Sequence, residues 1–209
     1  MKTVIQIILA IVIIGLGYGL YRSIQTPIEF EREKDKRYEA TIEKLREIRS
    51  AQIAYRNEHG KFTGSFDTLI NFIRGDSLRI VRKIGYIPDS LLEEGMTERE
   101  ALREGIIERD TVRMAVKDSL FGEDYEARDM WRVPSTDNDS FEMAAKVVES
   151  GGMDVPIFEA KVHNDVLLRG LNDQLVINLN ERMTEKLSKF PGVKVGDINQ
   201  PNNNAGNWE

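Results

Sequence analysis

The chain contains no cysteine. Disulfides, thiol catalysis and cysteine metal sites are therefore excluded. Location stays open, because a cysteine-free chain suits any compartment. Histidine is scarce: His59 and His163 are the only two, far apart in sequence and without partners at ligand spacing. An excess of positive charge is also missing. Lys and Arg number 29 against 35 Asp and Glu, a formal charge of −6, and no basic stripe stands out, so nucleic acid is not an expected partner. No Gly-rich phosphate loop, nucleophile elbow or His-Glu-x-x-His occurs. Asp137 and Asp139, in the polar turn 135–140, lack the glycine and distal glutamate of a calcium loop. The expectation is a non-enzymatic protein with no catalytic, cofactor-binding or metal-binding residues and no cofactor. An acidic pair assembled by the fold, as in a glycosidase, needs no local motif and is the catalytic alternative.

What the chain does have is one long hydrophobic run. Between Thr3 and Tyr21 there is no charged residue. These nineteen positions, at about 1.5 Å each, make roughly 28 Å of helix, close to the hydrocarbon thickness of a bilayer. Lys2 precedes the run, and Tyr18, Tyr21 and Arg22 follow where an interfacial belt belongs. The run is apolar all round, which suits lipid better than a protein core. A cleaved signal peptide is the rival, but its apolar region is typically about 7–15 residues, and Gly17-Tyr18-Gly19 is a weak cleavage site. Residues 1–25 are thus expected to be a transmembrane signal anchor, with the membrane as partner through Thr3 to Tyr21. Gly15 and Gly19 form a small-xxx-small pair that would let two anchors approach closely, although glycine is common in membrane helices anyway. Counted literally, Arg22, Arg32, Lys34, Lys36 and Arg37 would hold the following domain in the cytoplasm. They are interleaved with Glu29, Glu31, Glu33 and Asp35, and long domains translocate largely regardless of charge.

Residues 26–60 read as a stalk or spine helix. Thr26-Pro27-Ile28-Glu29 has the form of a helix start, with a cap, a proline at the first position and a capping-box glutamate. A kink or break near Pro27 is therefore expected. Up to Arg37 the helix is nearly all charge, with Glu29–Arg32, Glu31–Lys34 and Glu33–Arg37 at pairing distance, and reads as a solvated spacer. From Tyr38 on, Ile42, Leu45, Ile48, Ala51, Gln52 and Tyr55 recur at helical spacing and form one core-facing stripe, too short for a coiled-coil signal. Gly60 is the natural C-cap, with His59 in the last turn.

The segment REIRSAQIAYRNEHGKFTGSFDTLINFI resembles type IV pilins and type II secretion pseudopilins. The residues that carry the likeness are Ala51, Gln52, Tyr55, His59, Gly60, Lys61, Phe62, Phe66, Asp67 and Leu69, and it covers roughly the first 75 positions. The chain departs from that pattern twice. It shows no basic leader ending in glycine before phenylalanine. It also has no glutamate near the start of the apolar run, the residue that in pilins pairs with a neighbouring subunit's amino terminus. The whole chain is similar to membrane-anchored proteins of Bacteroidetes, some of them labelled secretion-protein-like. The resemblance implies a single-pass inner-membrane protein with a periplasmic domain, other envelope proteins as partners, and association with copies of itself.

Residues 61–198 are expected to form an α+β globular domain. The fold class is then an N-terminal transmembrane helix and an amphipathic stalk helix packed on a mixed, mainly antiparallel β domain. Ser65 caps a short helix whose Phe66, Leu69, Ile70 and Ile73 face one way. Residues 78–87 read as a strand, with Arg74, Arg79, Arg82 and Lys83 as a guarded edge or an anion-facing cluster. Thr97 to Glu100 is a capping box. Strands are expected at 110–120, 131–133 and 193–196, and the clearest hairpin joins 141–150 to 155–162 across Gly151-Gly152. Asn172 restarts a helix with Leu175, Leu179, Met183 and Leu187 on one face. The Asn-rich tail 199–209 is expected to dock back through Trp208. A second functional reading is an envelope polysaccharide- or ligand-binding module, with an aromatic pocket at Trp131 or Tyr86.

Overall fold

Helix α1 runs from Lys2 to His59 as one element. The computed structural model that contains it describes residues 2–93 and 95–209, with side-chain surroundings for all of these except residues 2–5, 7, 8, 80, 81 and 83. Met1 of the expected anchor, and the Lys83 side chain of the basic cluster, lie outside the described residues. In chain order α1 is followed by α2 (Phe66–Gly75), β1 (Ser77–Ile84), α3 (Asp89–Glu93), α4 (Glu98–Arg103), β2 (Glu108–Ala115) and α5 (Val116–Leu120). Then come β3 (Glu142–Ser150), β4 (Met153–His163), α6 (Asn164–Leu167), α7 (Asp173–Glu181) with a widened π turn at Arg182–Lys186, and β5 (Gly192–Gly196). The class is α+β: a long N-terminal apolar helix and small antiparallel sheets.

Of the kink or break expected at Pro27, the break does not occur: α1 stays helical through it. Proline's fixed φ is itself helical, and what it removes is one N–H donor. Beside the gap, the Thr26 hydroxyl donates to the Arg22 carbonyl at 2.9 Å, so Thr26 bonds back into the helix instead of capping a new one. The spacer is not solvated throughout either. Phe30 is only 6% exposed, and Arg37 Nη1 donates to the carbonyls of Leu167 and Arg169, both at 3.0 Å. The pairs Glu31–Lys34 and Glu33–Arg37 do form. Flanking charges conceal one apolar stripe, and long basic side chains lay their stems along it.

The chain divides into two units, one combining the segment up to Arg49 with Trp131–Glu209, the other Ser50–Met130. In the first, the sheet order is β3-β4-β5, antiparallel throughout. The β3–β4 hairpin pairs Glu142 with Lys161 and closes at Ser150 and Met153. Gly151 and Gly152 both take positive φ, the geometry of a two-residue hairpin turn. In the central strand β4 the run Ile157–Ala160 is buried without alternation, with Glu159 on the second face engaged by Lys161 and Lys194. Phe158, Ala160, Val162, Val193, Val195, Leu167 and Leu168 join Leu45 and Ile48 of α1 in this core. The tail covers the free edge of β5: Asn207 N–H donates to the Lys194 carbonyl, and Asn207 Oδ1 accepts from Lys194 N–H, each at 3.0 Å. Trp208 docks as expected, its ring lying over Gly206 where a Cβ would sit. Glu209 pairs with Arg49 at 2.6 Å.

In the second unit Ala51, Tyr55, Leu69, Phe72, Ile73, Ile107, Val116 and Met130 are buried. Gln52, with no exposure, holds the turn after α1, donating to the Thr63 carbonyl at 2.6 Å and accepting from its N–H at 3.1 Å. Gly60, at φ +73°, ends α1, and Ser65 and Thr97 cap α2 and α4 as expected. The strand expected at 110–120 stops at Ala115, where the chain turns into α5 with Val116 fully buried. Residues 131–133, in the first unit, make only an isolated bridge from Arg132 to Ser140.

Gly196 combines a left-handed backbone, φ +73°, with a Cβ position that collides with the Phe158 carbonyl. Gly196→Ala is expected to destabilise the first unit by at least about 1–3 kcal/mol, from the left-handed backbone alone. Urea unfolding followed by tryptophan fluorescence checks this; an unchanged midpoint would contradict the placement of β5.

Candidate functional site

The most exposed apolar surface lies on α1 itself. Leu9, Ile11, Val12, Ile13, Ile14, Leu16, Tyr18, Leu20 and Tyr21 are all 49% exposed or more, and at about 100° per residue they are distributed around the whole helix. One helix, at the N-terminal end, is long and apolar enough to span a membrane, which fits a transmembrane or signal anchor. Tyr18 and Tyr21 stand at its end, followed by Arg22.

Where α1 enters the first unit it meets a buried polar chain. Tyr38 donates its phenol proton to Asn164 Oδ1 at 2.5 Å. Asn164, with no exposure, donates to Asn180 Oδ1 at 2.9 Å, and Asn180 in turn donates to Asp165 at 2.8 Å. His163 Nδ1 accepts the Asp165 N–H at 3.2 Å and so caps α6. Burial pushes the Tyr38 phenol up to about 12, and the nearby Glu31 and Asp35 add to the rise. Asn164 was not legible as a hub, since nothing in its local pattern distinguishes it from a helix-starting asparagine.

On the sheet, Glu159 is 5% exposed and pairs with Lys161 at 2.9 Å and Lys194 at 3.2 Å. Lys194 also pairs with Asp197 at 2.9 Å. Burial alone would lower the Lys194 pKa, but hydrogen bonds to Asp197 and Glu159 outweigh it and hold the ammonium above its usual range. For Asp197 burial acts upwards, and the bonds from Lys194 and the Asn199 N–H outweigh it, holding the carboxyl low. A general acid needs the opposite, a carboxyl held protonated. This is an internal ion cluster that ties β5 to β4.

Among the described residues, clefts of about 230–260 Å³ open at four places on the surface, below the roughly 300–1,000 Å³ of small-molecule pockets. One in the second unit is lined by Glu58, His59, Asp76, Arg79 and Arg113 among others. Arg79 and Arg113 are directly opposed across β1 and β2, a like-charge pairing that costs stability. His59 is held there by stacking on Tyr55, with ring centres 4.2 Å apart. A second cleft lies between Arg37, Asp139 and Arg169 of the first unit, where Arg169 engages Asp139 at 2.9 Å. A third lines the end of α1 from Ser50 to Glu58 with Leu78 and Leu120. The fourth lies at the foot of the first unit, between Pro27, Phe30 and Glu31 of α1 and Leu175, Leu179, Arg182 and Lys186. None is lined by Trp131 or Tyr86. Tyr86 is 78% exposed, and the two belong to different units. His59 and His163 are likewise divided between the units.

The geometry describes an α+β protein with a long apolar N-terminal helix, and its Glu159–Lys194–Asp197 and Tyr38–Asn164 clusters are internally paired. No family model, curated protein or solved structure matches the chain.

Tyr38→Phe removes a buried donor from Asn164 and is expected to cost about 1–3 kcal/mol at neutral pH. Folding raises the phenol pKa from 10.0 to about 12, so the proton is held more tightly in the folded state. The stability tied to it is complete below pH 10 and is lost as pH climbs towards 12, about 2–3 kcal/mol in all. Urea midpoints of the two proteins should differ at pH 8 and converge between pH 10 and 11.5; a constant gap would mean the phenol is not buried.

Proposed function

We propose that this chain is a non-enzymatic, single-pass protein of the cell envelope. It is anchored in the inner membrane through α1, with its folded part on the periplasmic side binding other envelope proteins. The specific form of the proposal is a pseudopilin-like component of a secretion or surface-assembly system that associates with copies of itself. The observation that carries it is the single helix α1. Apolar and exposed on all sides at first, it continues without interruption into a part whose Leu45, Ile48 and Ala51 are fully buried. A helix that is anchor at one end and core element at the other is the layout the pilin-like segment implies. The apolar run has no glutamate to pair with a neighbour's amino terminus. Lateral association would then rest on the anchor's apolar surface, including Gly15 and Gly19, where an added Cβ meets nothing within 4 Å.

Protease added to intact spheroplasts should remove the folded part and leave the anchor in the membrane. Protection of the folded part would place it in the cytoplasm and overturn the periplasmic assignment. Crosslinking within the same membranes should give a homodimer that Gly15→Leu/Gly19→Leu reduces several-fold. Monomer alone in the native protein would count against self-association.

A further inference from the structure

The foot cleft of the first unit has features that its role as a packing seam does not use. It holds about 260 Å³ between α1 and the α7–π-turn segment. Two cations line it, Arg182 and Lys186, and neither has an ion-pair partner among the described residues. The carboxylate that also lines it, Glu31, is engaged by Lys34. The rest of the wall is Pro27, Phe30, Leu175 and Leu179 with one polar side chain, Asn178, whose Oδ1 accepts from Gln174 at 2.9 Å. Just beyond the π turn, Leu187 stands 55% exposed, and on α1 one turn before Pro27, Ile24 stands 58% exposed. The cations therefore sit in a setting bordered by uncovered apolar side chains.

The height of this cleft follows from α1 being unbroken. Tyr21 closes the apolar run, and Pro27 is six residues further on, about 9 Å along the axis; Glu31 is about 15 Å along. With the tyrosines at the interface, the headgroup layer extends roughly 5–8 Å outward from the hydrocarbon edge. The lower rim of the cleft is thus within a side-chain length of the lipid phosphates. A break at Pro27 would have left this height free.

We propose that the foot cleft binds the phosphate of an anionic phospholipid in the leaflet where α1 emerges, with Arg182 and Lys186 holding the phosphate and Ile24 and Leu187 resting against the glycerol and upper acyl region. This rests on the reading that α1 crosses a bilayer. It adds a second attachment of the folded part to the membrane, one that depends on lipid charge. The charges are complementary, and the volume suits a headgroup better than a larger organic ligand.

The test uses the full chain in nanodiscs of phosphatidylcholine alone, or with one-third phosphatidylglycerol, and follows amide exchange of residues 175–189. Each cation near an anionic surface contributes roughly fivefold. Exchange across this segment is therefore expected to slow by about tenfold or more in the phosphatidylglycerol discs, and R182Q/K186Q is expected to abolish the difference. Equal exchange in the two lipids, with residues 9–21 strongly protected in both, would overturn this proposal and leave the anchor intact. Unprotected exchange at 9–21 would instead overturn the anchor reading itself, and this proposal with it. Slowing reproduced in phosphatidylcholine discs by 50 mM inorganic phosphate would assign the cleft to free phosphate and overturn the lipid assignment. Thermal unfolding of R182Q/K186Q matching the parent shows that loss of the lipid effect is not loss of fold.

Discussion

An unbroken helix has to find a suitable solvent for each part of its length, and α1 has very different lengths to satisfy. Fully burying a Leu or Ile side chain is worth about 1.5–3 kcal/mol, so half a dozen of them match the whole net stability of an ordinary domain, about 5–15 kcal/mol. The side chains from Leu9 to Tyr21 stand uncovered by any part of the protein. A surface of that size is covered by lipid or by another apolar chain. Beyond Pro27 the same helix turns one stripe inward, and Phe30, Leu45, Ile48, Ala51 and Tyr55 are buried. The change from all-round to one-sided apolarity happens within about two turns, and no break in the backbone marks it.

Parts of this design were readable from local pattern alone. The Gly60 stop, the Ser65 and Thr97 caps and the Gly151-Gly152 hairpin turn each depend on residues within a few positions of one another, and each formed as expected. Other features depend on distant partners. Phe30 looks solvated among Glu29, Glu31 and Arg32, and its burial becomes visible only once α7 is placed beside it. Tyr38 and Asn164 lie 126 positions apart, and Arg49 and Glu209 lie 160 apart. Val112, Met114 and Val116 have the spacing of one strand face, yet Val116 is buried at the start of a helix while Val112 and Met114 are exposed. Thr26-Pro27 misled for another reason: a proline suited to the first turn of a helix has a φ that also suits its interior, and the sequence alone does not report whether the preceding residues are helical already.

The buried charges follow one rule. Glu159 is engaged by two lysines and Asp197 by a lysine and a backbone N–H, while Asn164 donates and accepts at once. Such groups are costly to strand and modest in net value once paired. Their effect here is to fix which strand and which turn meet. Lys194 links β5 to β4 through Glu159, and Tyr38 fixes α1 against α6. The shifts in Lys194 and Asp197 both favour the charged forms, as expected of structural ion pairs and unlike the perturbed carboxyl of a hydrolytic acid.

The two associations proposed for α1 would be separated by height along the helix and not by face. At about 100° per residue Phe30, which lines the foot cleft, falls within about 20° of Gly19, but it lies eleven residues, about 16 Å, further along the axis. A second anchor packed on Gly15 and Gly19 would therefore lie below the cleft, within the apolar run. Had the helix broken at Pro27, the two positions would be unrelated; its continuity ties the height of the cleft to the end of the apolar run.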